Sequence, residues 1–171
     1  MNYKNIEVKK TTIKLVYTSM LIAISLIGSL IKIQGSIALD SMAGFFSALF
    51  LGPAYGALVA SIGHILTAFT SGFPLTLPIH IIITLQMGLF AYIFGVVYRK
   101  SNGILASIIA IILNGIGAVL ILVPVTTWLK LPLHGWTFFY AMVGPLSLTS
   151  AVNVVLAYII YKSIENKFSI R

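Results

Sequence analysis

Six apolar stretches divide the chain, and four of them are long enough for a helix that crosses a bilayer, which needs about 20 residues. The second and third stretches flank Leu51-Gly52-Pro53; as separate helices they are short, and fused they are too long. The hydrophobic pattern therefore predicts either five or six membrane helices. The stretches span residues 12–31, 37–51, 54–69, 77–98, 104–125 and 135–161.

Positive charge decides between these two alternatives, because Lys and Arg favour the cytoplasmic side of a membrane protein. With six helices and a cytoplasmic N-terminus, nine of the 11 basic residues are cytoplasmic, and only Lys32 and Lys130 lie outside. With five helices the split becomes five inside and six outside. We therefore predict two helices joined at Gly52 and Pro53, residues that suit a tight turn and a first helical turn. The nine are Lys4, Lys9, Lys10, Lys14, Arg99, Lys100, Lys162, Lys167 and Arg171.

The shortness of the second helix has a geometric consequence. The residues from Ser41 to Leu51 rise about 16 Å at about 1.5 Å per residue, whereas the hydrocarbon core is about 30 Å thick. A helix anchored on the cytoplasmic side at Gly52 therefore ends near mid-membrane, with Asp40 at its head. Residues 32–39 must then enter from outside, and irregular backbone at this depth is tolerated only where it packs in protein or lines a cavity.

Composition agrees with a membrane protein of one domain. The 171 residues are 59% hydrophobic and 8% charged, whereas soluble domains carry about 25% charged residues. The formal charge of +8 comes from residues at helix ends, which membrane topology explains better than nucleic-acid binding. The apolar run after the basic N-terminus is too long for a signal peptide, and we expect it to be retained as a helix.

Several polar side chains fall inside the apolar stretches. Gly56, Ala60 and His64 recur every four residues, which predicts that this face packs closely against protein and not lipid. The fourth stretch repeats the pattern from His80. In the six-helix topology, both histidines lie in the outer half of the membrane, as does Asp40.

Three carboxamides, Gln86, Asn114 and Asn153, fall near mid-membrane, where polar groups are costly and are expected to face the bundle interior. The simplest interpretation of the two asparagines is an interhelical hydrogen bond. Asp40 has a structural alternative too, since an Asp before a helix commonly caps the first-turn amides.

The remaining alternatives concern the histidines and tryptophans. His64 and His80 are more typical of structural hydrogen bonds than of catalysis. Trp128 and Trp136 are more typical of the aromatic belt at a membrane interface than of a stacking platform.

Enzyme signals are missing from the sequence. It has no Cys, no phosphate-binding loop, no nucleophile motif and no second acid to pair with Asp40. An Asp–His–His metal site has the right residue types but no recognisable ligand spacing. We therefore predict no enzyme activity, no metal and no cofactor. The inner half of the predicted bundle holds no ionisable relay, so the polar residues favour a pocket open to the outside over an ion path.

The segment LDSMAGFFSALFLGPAYGALVASIGH (39–64), followed by SGFPLTLPIH (71–80), resembles the substrate-binding S components of energy-coupling factor (ECF) vitamin transporters. The resemblance covers nearly the whole chain. It implies an all-α bundle of six transmembrane helices with both termini cytoplasmic, in the plasma membrane of a bacterium. The branch it resembles most closely takes cobamide precursors such as α-ribazole, although pantothenate-type branches share much of this layout.

The resemblance also implies partners and a mechanism. Family members bind a vitamin in an outward pocket, couple to a transmembrane T subunit and two ATPase subunits, and topple in the membrane to release it. Their coupling face includes a small-xxx-small pattern on helix 1, usually with two Ala; here it reads Ser19 and Ala23. A ring-bearing ligand needs an apolar slot with a few polar anchors. The candidate anchors are Asp40, His64, His80 and Asn114, and the candidate ring contacts are Phe73, Trp128 and Trp136.

Three other functions compete with this interpretation. A self-sufficient secondary transporter would need a coupling-ion site, for which Asp40 is the plausible carboxylate. A membrane scaffold would leave the outer polar cluster without a role. A membrane enzyme would have to use the Asp and the two His residues without a known spacing.

Overall fold

Six apolar helical segments make up the described part of the chain, as the hydrophobic and charge patterns predict. A computed structural model of the protein describes residues 3–166. Lys167 and Arg171, two of the predicted cytoplasmic residues, lie outside the described residues. The helices are α1 (Tyr3–Gly28), α2 (Ser41–Phe50), α3 (Pro53–Thr70), α4 (Leu77–Lys100), α5 (Gly103–Ile112), α6 (Ala118–Trp128) and α7 (Gly135–Ile164).

Helices α5 and α6 form one continuous span, Gly103–Trp128, joined by the π-helical segment Leu113–Gly117. In the described part of the chain this span, α1, α3, α4 and α7 are each long and apolar enough to cross a membrane. Helix α2 supplies the sixth segment but is shorter. The all-α membrane bundle predicted from the sequence is confirmed.

The second apolar stretch becomes helical only in part, and its predicted start at residue 37 is wrong. Ile37–Ala38 (β2) instead pairs antiparallel with Lys32–Gln34 (β1). Gly35 makes the turn possible at a φ of 55°, and the β-branched isoleucines on both sides favour strands. Helix α2 therefore has 10 residues and rises about 15 Å, which confirms the short helix expected here.

Helices α2 and α3 are two helices and not one kinked helix, as predicted. Gly52 has a φ of 125°, a conformation that residues with a side chain rarely adopt, and Pro53 occupies the first turn of α3. A Cβ at Gly52 would also lie 2.9 Å from Nη2 of Arg99. The chain reverses direction here because glycine permits both the φ angle and the close contact.

Small residues hold α2 and α3 against each other. A Cβ placed on Gly44 would lie 2.6 Å from Cβ of Ala60, and one placed on Gly56 would lie 2.4 Å from Cβ of Ala48. The two glycines thus face alanines of the partner helix reciprocally, which brings the backbones close and maximises dispersion contacts. Gly56, Ala60 and His64 are all buried, so the stripe does face protein.

The turns divide between the two ends of the bundle. The hairpin, the α3–α4 turn (71–76) and the α6–α7 turn (129–134) share one end, since successive membrane segments alternate in direction. The other end carries the described termini, the turn at Gly52 and the α4–α5 turn. We call the first the hairpin end and the second the terminal end.

We expect Gly56→Ala to lower the thermal unfolding midpoint of the purified protein, because overpacking a close contact costs about 1–3 kcal/mol. The matched control is Gly144→Ala in α7, where a Cβ would meet nothing within 4 Å. This control is expected to leave the midpoint unchanged or to raise it, since Ala favours helix over Gly. Equal midpoints for the two variants would contradict the close α2–α3 contact.

Candidate functional site

A cavity opens in the half of the bundle nearer the hairpin end. It is bounded by the start of α2, the π-helical segment and the facing sides of α3, α4, α6 and α7. Its free space is about 660 Å³, including the part open to solvent. Apolar side chains form most of the wall: Ile37, Ala38, Leu75, Ile83, Met87, Ala118, Val119, Leu122, Phe138, Met142 and Leu146. The polar side chains are Ser36, Asp40, Ser41, His64, Gln86, Asn114, Thr149, Ser150 and Asn153.

Asn153 of α7 holds the start of α2 in place. Its Oδ1 accepts a hydrogen bond from the backbone N–H of Met42 at 3.0 Å, and its Nδ2 donates to the carbonyls of Ala38 at 3.2 Å and Thr149 at 3.0 Å. From α1, Ser25 Oγ donates to the Asp40 carbonyl at 2.8 Å. The Met42 N–H, which the helix start leaves unpaired, thus finds a side-chain partner on another helix, as do the buried carbonyls of Ala38 and Asp40. The predicted interhelical role of Asn153 is confirmed.

The carboxylate of Asp40 does not cap α2, so the capping alternative is wrong. Asp40 precedes the helix with φ −77° and ψ −33° and makes no side-chain cap bond. The Met42 N–H donates to Asn153 instead. Oδ2 of Asp40 instead accepts a hydrogen bond from Thr67 Oγ1 at 2.7 Å. The same hydroxyl lies 2.9 Å from the Gly63 carbonyl, and an ionised carboxylate is the stronger acceptor. The acid is buried at the cavity wall and directed toward α3.

Asp40, His64 and His80 form one polar row. Nδ1 of His64 lies 4.0 Å from Oδ2 of Asp40, and its Nε2 lies 3.3 Å from Nδ1 of His80. The Leu75 N–H donates to Nε2 of His80 at 3.4 Å, so Nδ1 of His80 carries the proton and donates to His64. The remaining proton of His64 then points toward the carboxylate. His64 lines the cavity, whereas His80 lies behind it.

These contacts use both nitrogens of His80 and one of His64 for hydrogen bonds. The described residues contain no group of three or more His, Cys, Asp or Glu placed to hold a metal ion. The row connects the α3–α4 turn to the cavity wall through the neutral rings of His80 and His64.

Two carboxamides, Gln86 and Asn114, line the cavity with polar atoms that have no hydrogen-bond partner among the described residues. Asn114 lies in the π-helical segment and donates from Nδ2 to Ser150 Oγ at 2.7 Å, as predicted for an interhelical bond. Its Oδ1 is unpaired, as are both Oε1 and Nε2 of Gln86. Gln86 is 6% exposed and Asn114 is 3% exposed.

The aromatic residues proposed as ring contacts lie elsewhere. Trp128 is 80% exposed and Trp136 is 60% exposed, which is typical of interfacial belt residues. Phe73 belongs to the α3–α4 turn, where its ring packs against those of Phe69 and His80 at centroid distances of 6.2 Å and 5.8 Å. The aromatic side chain that does line the cavity is Phe138, a position that its apolar surroundings in the sequence did not distinguish.

The residues of the predicted coupling pattern lie on the outside of the bundle. Ser19 and Ala23 are both exposed on α1, and the Ser19 hydroxyl donates to the Leu15 carbonyl of its own helix at 3.1 Å.

A multi-pass helical bundle with a half-length helix and an apolar cavity defines a membrane protein built to hold a small molecule. The sequence model of the ECF transporter substrate-specific component matches residues 13–165, and the chain belongs to this family. The family comprises transporter components and not enzymes, and membership implies a small-molecule substrate and an energising module of a T subunit and ATPases. Comparisons with curated proteins and with solved structures give no match.

We expect Asn153→Leu to destabilise the protein by about 2–4 kcal/mol, because it leaves the Met42 N–H and the Ala38 carbonyl buried without partners. Thermal unfolding measures the loss, and hydrogen exchange at the Met42 amide localises it. Val152→Leu, on the exposed side of α7, is the matched control and is expected to behave as wild type. Wild-type stability and amide protection in Asn153→Leu would show that α2 starts without this clamp.

Proposed function

We propose that the protein is the S component of an ECF importer that captures a neutral vitamin precursor, α-ribazole or a related cobamide precursor. The observation that carries this proposal is the cavity, whose walls are apolar and whose polar side chains are almost all uncharged. None of the described residues that line it is Lys or Arg, and Asp40 is its one carboxylate.

The charges of the wall separate the two candidate substrates. A carboxylate substrate such as pantothenate would lose its hydration in the cavity without gaining a positive partner, which is costly. It would also meet the carboxylate of Asp40. α-Ribazole is an uncharged nucleoside whose flat benzimidazole suits the apolar wall around Phe138, and whose ribose carries several hydroxyl groups. We propose that Asp40 accepts hydrogen bonds from these hydroxyls.

The orientation follows from the charges at the two ends of the bundle. The terminal end carries Arg99 and Lys100 in the last turn of α4 and Lys162 in that of α7. Lys32 and Lys130 lie at the hairpin end. The excess of positive charge supports cytoplasmic termini in a bacterial plasma membrane, with the cavity open to the outside.

Delivery of the substrate then requires the energising module. We propose that the transmembrane T subunit, which couples to two ATPase subunits, binds the lipid-facing side of α1 around Ser19 and Ala23, whose small side chains allow close helix approach. The S component topples in the membrane on this contact and releases its substrate inside.

We expect Asp40→Asn to weaken α-ribazole binding to the purified protein about 10- to 100-fold, because hydrogen bonds to a charged group contribute about 1.5–3 kcal/mol. Isothermal titration calorimetry in detergent measures the dissociation constant. Glu165→Gln is the control, since this carboxylate follows α7 at the terminal end and bonds to Lys162 and Tyr98. An unchanged dissociation constant in folded Asp40→Asn would refute the role of Asp40.

We expect Ala23→Leu to reduce both co-purification with the T subunit and uptake in cells, while α-ribazole binding to the isolated S component is kept. The reason is steric, since a larger side chain prevents close approach of two helices. Ala141→Leu makes the same change at an exposed position of α7 and is expected to leave both readouts intact. If both variants assemble and transport normally, the coupling face lies elsewhere.

A further inference from the structure

The carboxamide of Gln86 is buried in the cavity wall without a partner. Neither Oε1 nor Nε2 forms a hydrogen bond with any described residue. A polar group in this state costs free energy unless something else in the site satisfies it. Gln86 is in the middle of α4, its neighbour Met87 and the nearby Ile83 also line the cavity, and an apolar residue would fill the position at lower cost.

Asn114 presents a second unpaired atom from another helical segment. It lies in the π-helical segment, and such single-turn interruptions of a helix are frequent at functional sites. The bond from Nδ2 to Ser150 fixes the orientation of the amide, which leaves Oδ1 without a partner at the cavity. Ser150 therefore orients Asn114 so that its Oδ1 remains an unpaired acceptor in the cavity wall.

Asn153 shows how a carboxamide with a structural role behaves in this protein. It is 1% exposed, and its Oδ1 and Nδ2 together make three hydrogen bonds to backbone groups. The cavity carboxamides therefore fall into two groups. Asn153 secures the fold, whereas Gln86 and Asn114 have atoms that bond to no other described residue.

We infer that Gln86 and Asn114 are specificity-determining residues that select the substrate by its hydrogen-bonding pattern. The substrate is a neutral compound with an apolar ring, one acceptor for Nε2 of Gln86, and hydroxyl or N–H donors for Oε1 of Gln86 and Oδ1 of Asn114. This inference rests on the proposed function in one respect, that the cavity is the substrate site.

The pattern distinguishes closely related compounds. α-Ribazole has an acceptor at its ring nitrogen and donors on its ribose, so it can satisfy all three unpaired atoms. The same dimethylbenzimidazole carrying a methyl group in place of the ribose keeps the acceptor and loses every donor. Sites built to hydrogen-bond a substrate discriminate strongly against an analogue that lacks the bonding groups, so the methylated base is the matched probe.

The first arm of the test measures thermal unfolding of the protein without added ligand. Gln86→Met keeps the size of the side chain and removes the unpaired atoms, and it is expected to raise the unfolding midpoint by a few degrees. Asn153→Leu is expected to lower the midpoint. A midpoint that falls in Gln86→Met as it does in Asn153→Leu would overturn the inference, because it would show that the glutamine secures the fold.

The second arm measures binding of α-ribazole and of the methylated base by calorimetry. Wild type is expected to prefer α-ribazole, and Gln86→Met to bind it at least about tenfold more weakly with a reduced preference, since about 1.4 kcal/mol corresponds to tenfold. Unchanged affinity and preference in Gln86→Met would overturn the inference and leave the proposed function intact. If wild type binds neither probe, the choice of α-ribazole fails, and the midpoints of the first arm then decide the inference alone.

Discussion

The start of helix α2 imposes the constraint on which the rest of the structure depends. A helix of 10 residues covers about half of the roughly 30 Å hydrocarbon core, so the chain must enter the bundle as a hairpin and begin its helix inside. Backbone groups at such a point cannot be left unpaired in a membrane. Asn153 of α7 and Ser25 of α1 supply the partners. The cavity lies beside the start of this half-length helix, and Asn153 forms part of its wall.

The polar side chains around the cavity differ in how many of their hydrogen-bonding atoms have a partner within the protein. Asn153 and Thr67 are bonded within the protein, and the two histidines bond to each other. Gln86 and Asn114 keep free atoms at the wall. A fully satisfied polar network makes the bundle rigid, whereas free donors and acceptors in an apolar wall give orientation and selectivity to a bound molecule.

Much of the fold could be predicted from the sequence because it depends on local patterns and on the distribution of charge along the chain. This part of the fold does not depend on contacts between particular residues that are distant in sequence. Helix length, charge at the helix ends and the Gly52-Pro53 turn gave six membrane segments with a short second one. The hairpin at residues 32–38 was missed, because two short strands carry little signal inside a membrane protein. The sequence neighbourhood of Asp40 offered a helix cap as an alternative role for its carboxylate, but a distant asparagine bonds to the Met42 amide instead.

The site was predictable in part for the same reason. Depth in the membrane identified Asp40, His64 and Asn114, all of which line the cavity. It also identified Gln86 as costly, but whether a polar group is paired depends on residues distant in sequence. Trp128 and Trp136 have aromatic rings that could stack on a ligand, but both lie at the surface of the bundle and away from the cavity. Nothing in the sequence around Phe138 distinguishes it from the other apolar residues of α7.

Mass spectrometry of the small molecules that stay bound through purification tests the central claim most directly, that this cavity holds a neutral substrate. The comparison is between wild type and Ala118→Phe, which fills the cavity from α6 where Ala118 lines it. We expect wild type to retain a neutral ring-containing compound, and folded Ala118→Phe to retain none. Equal retention by both proteins, or retention of an anionic compound, would contradict the proposed site.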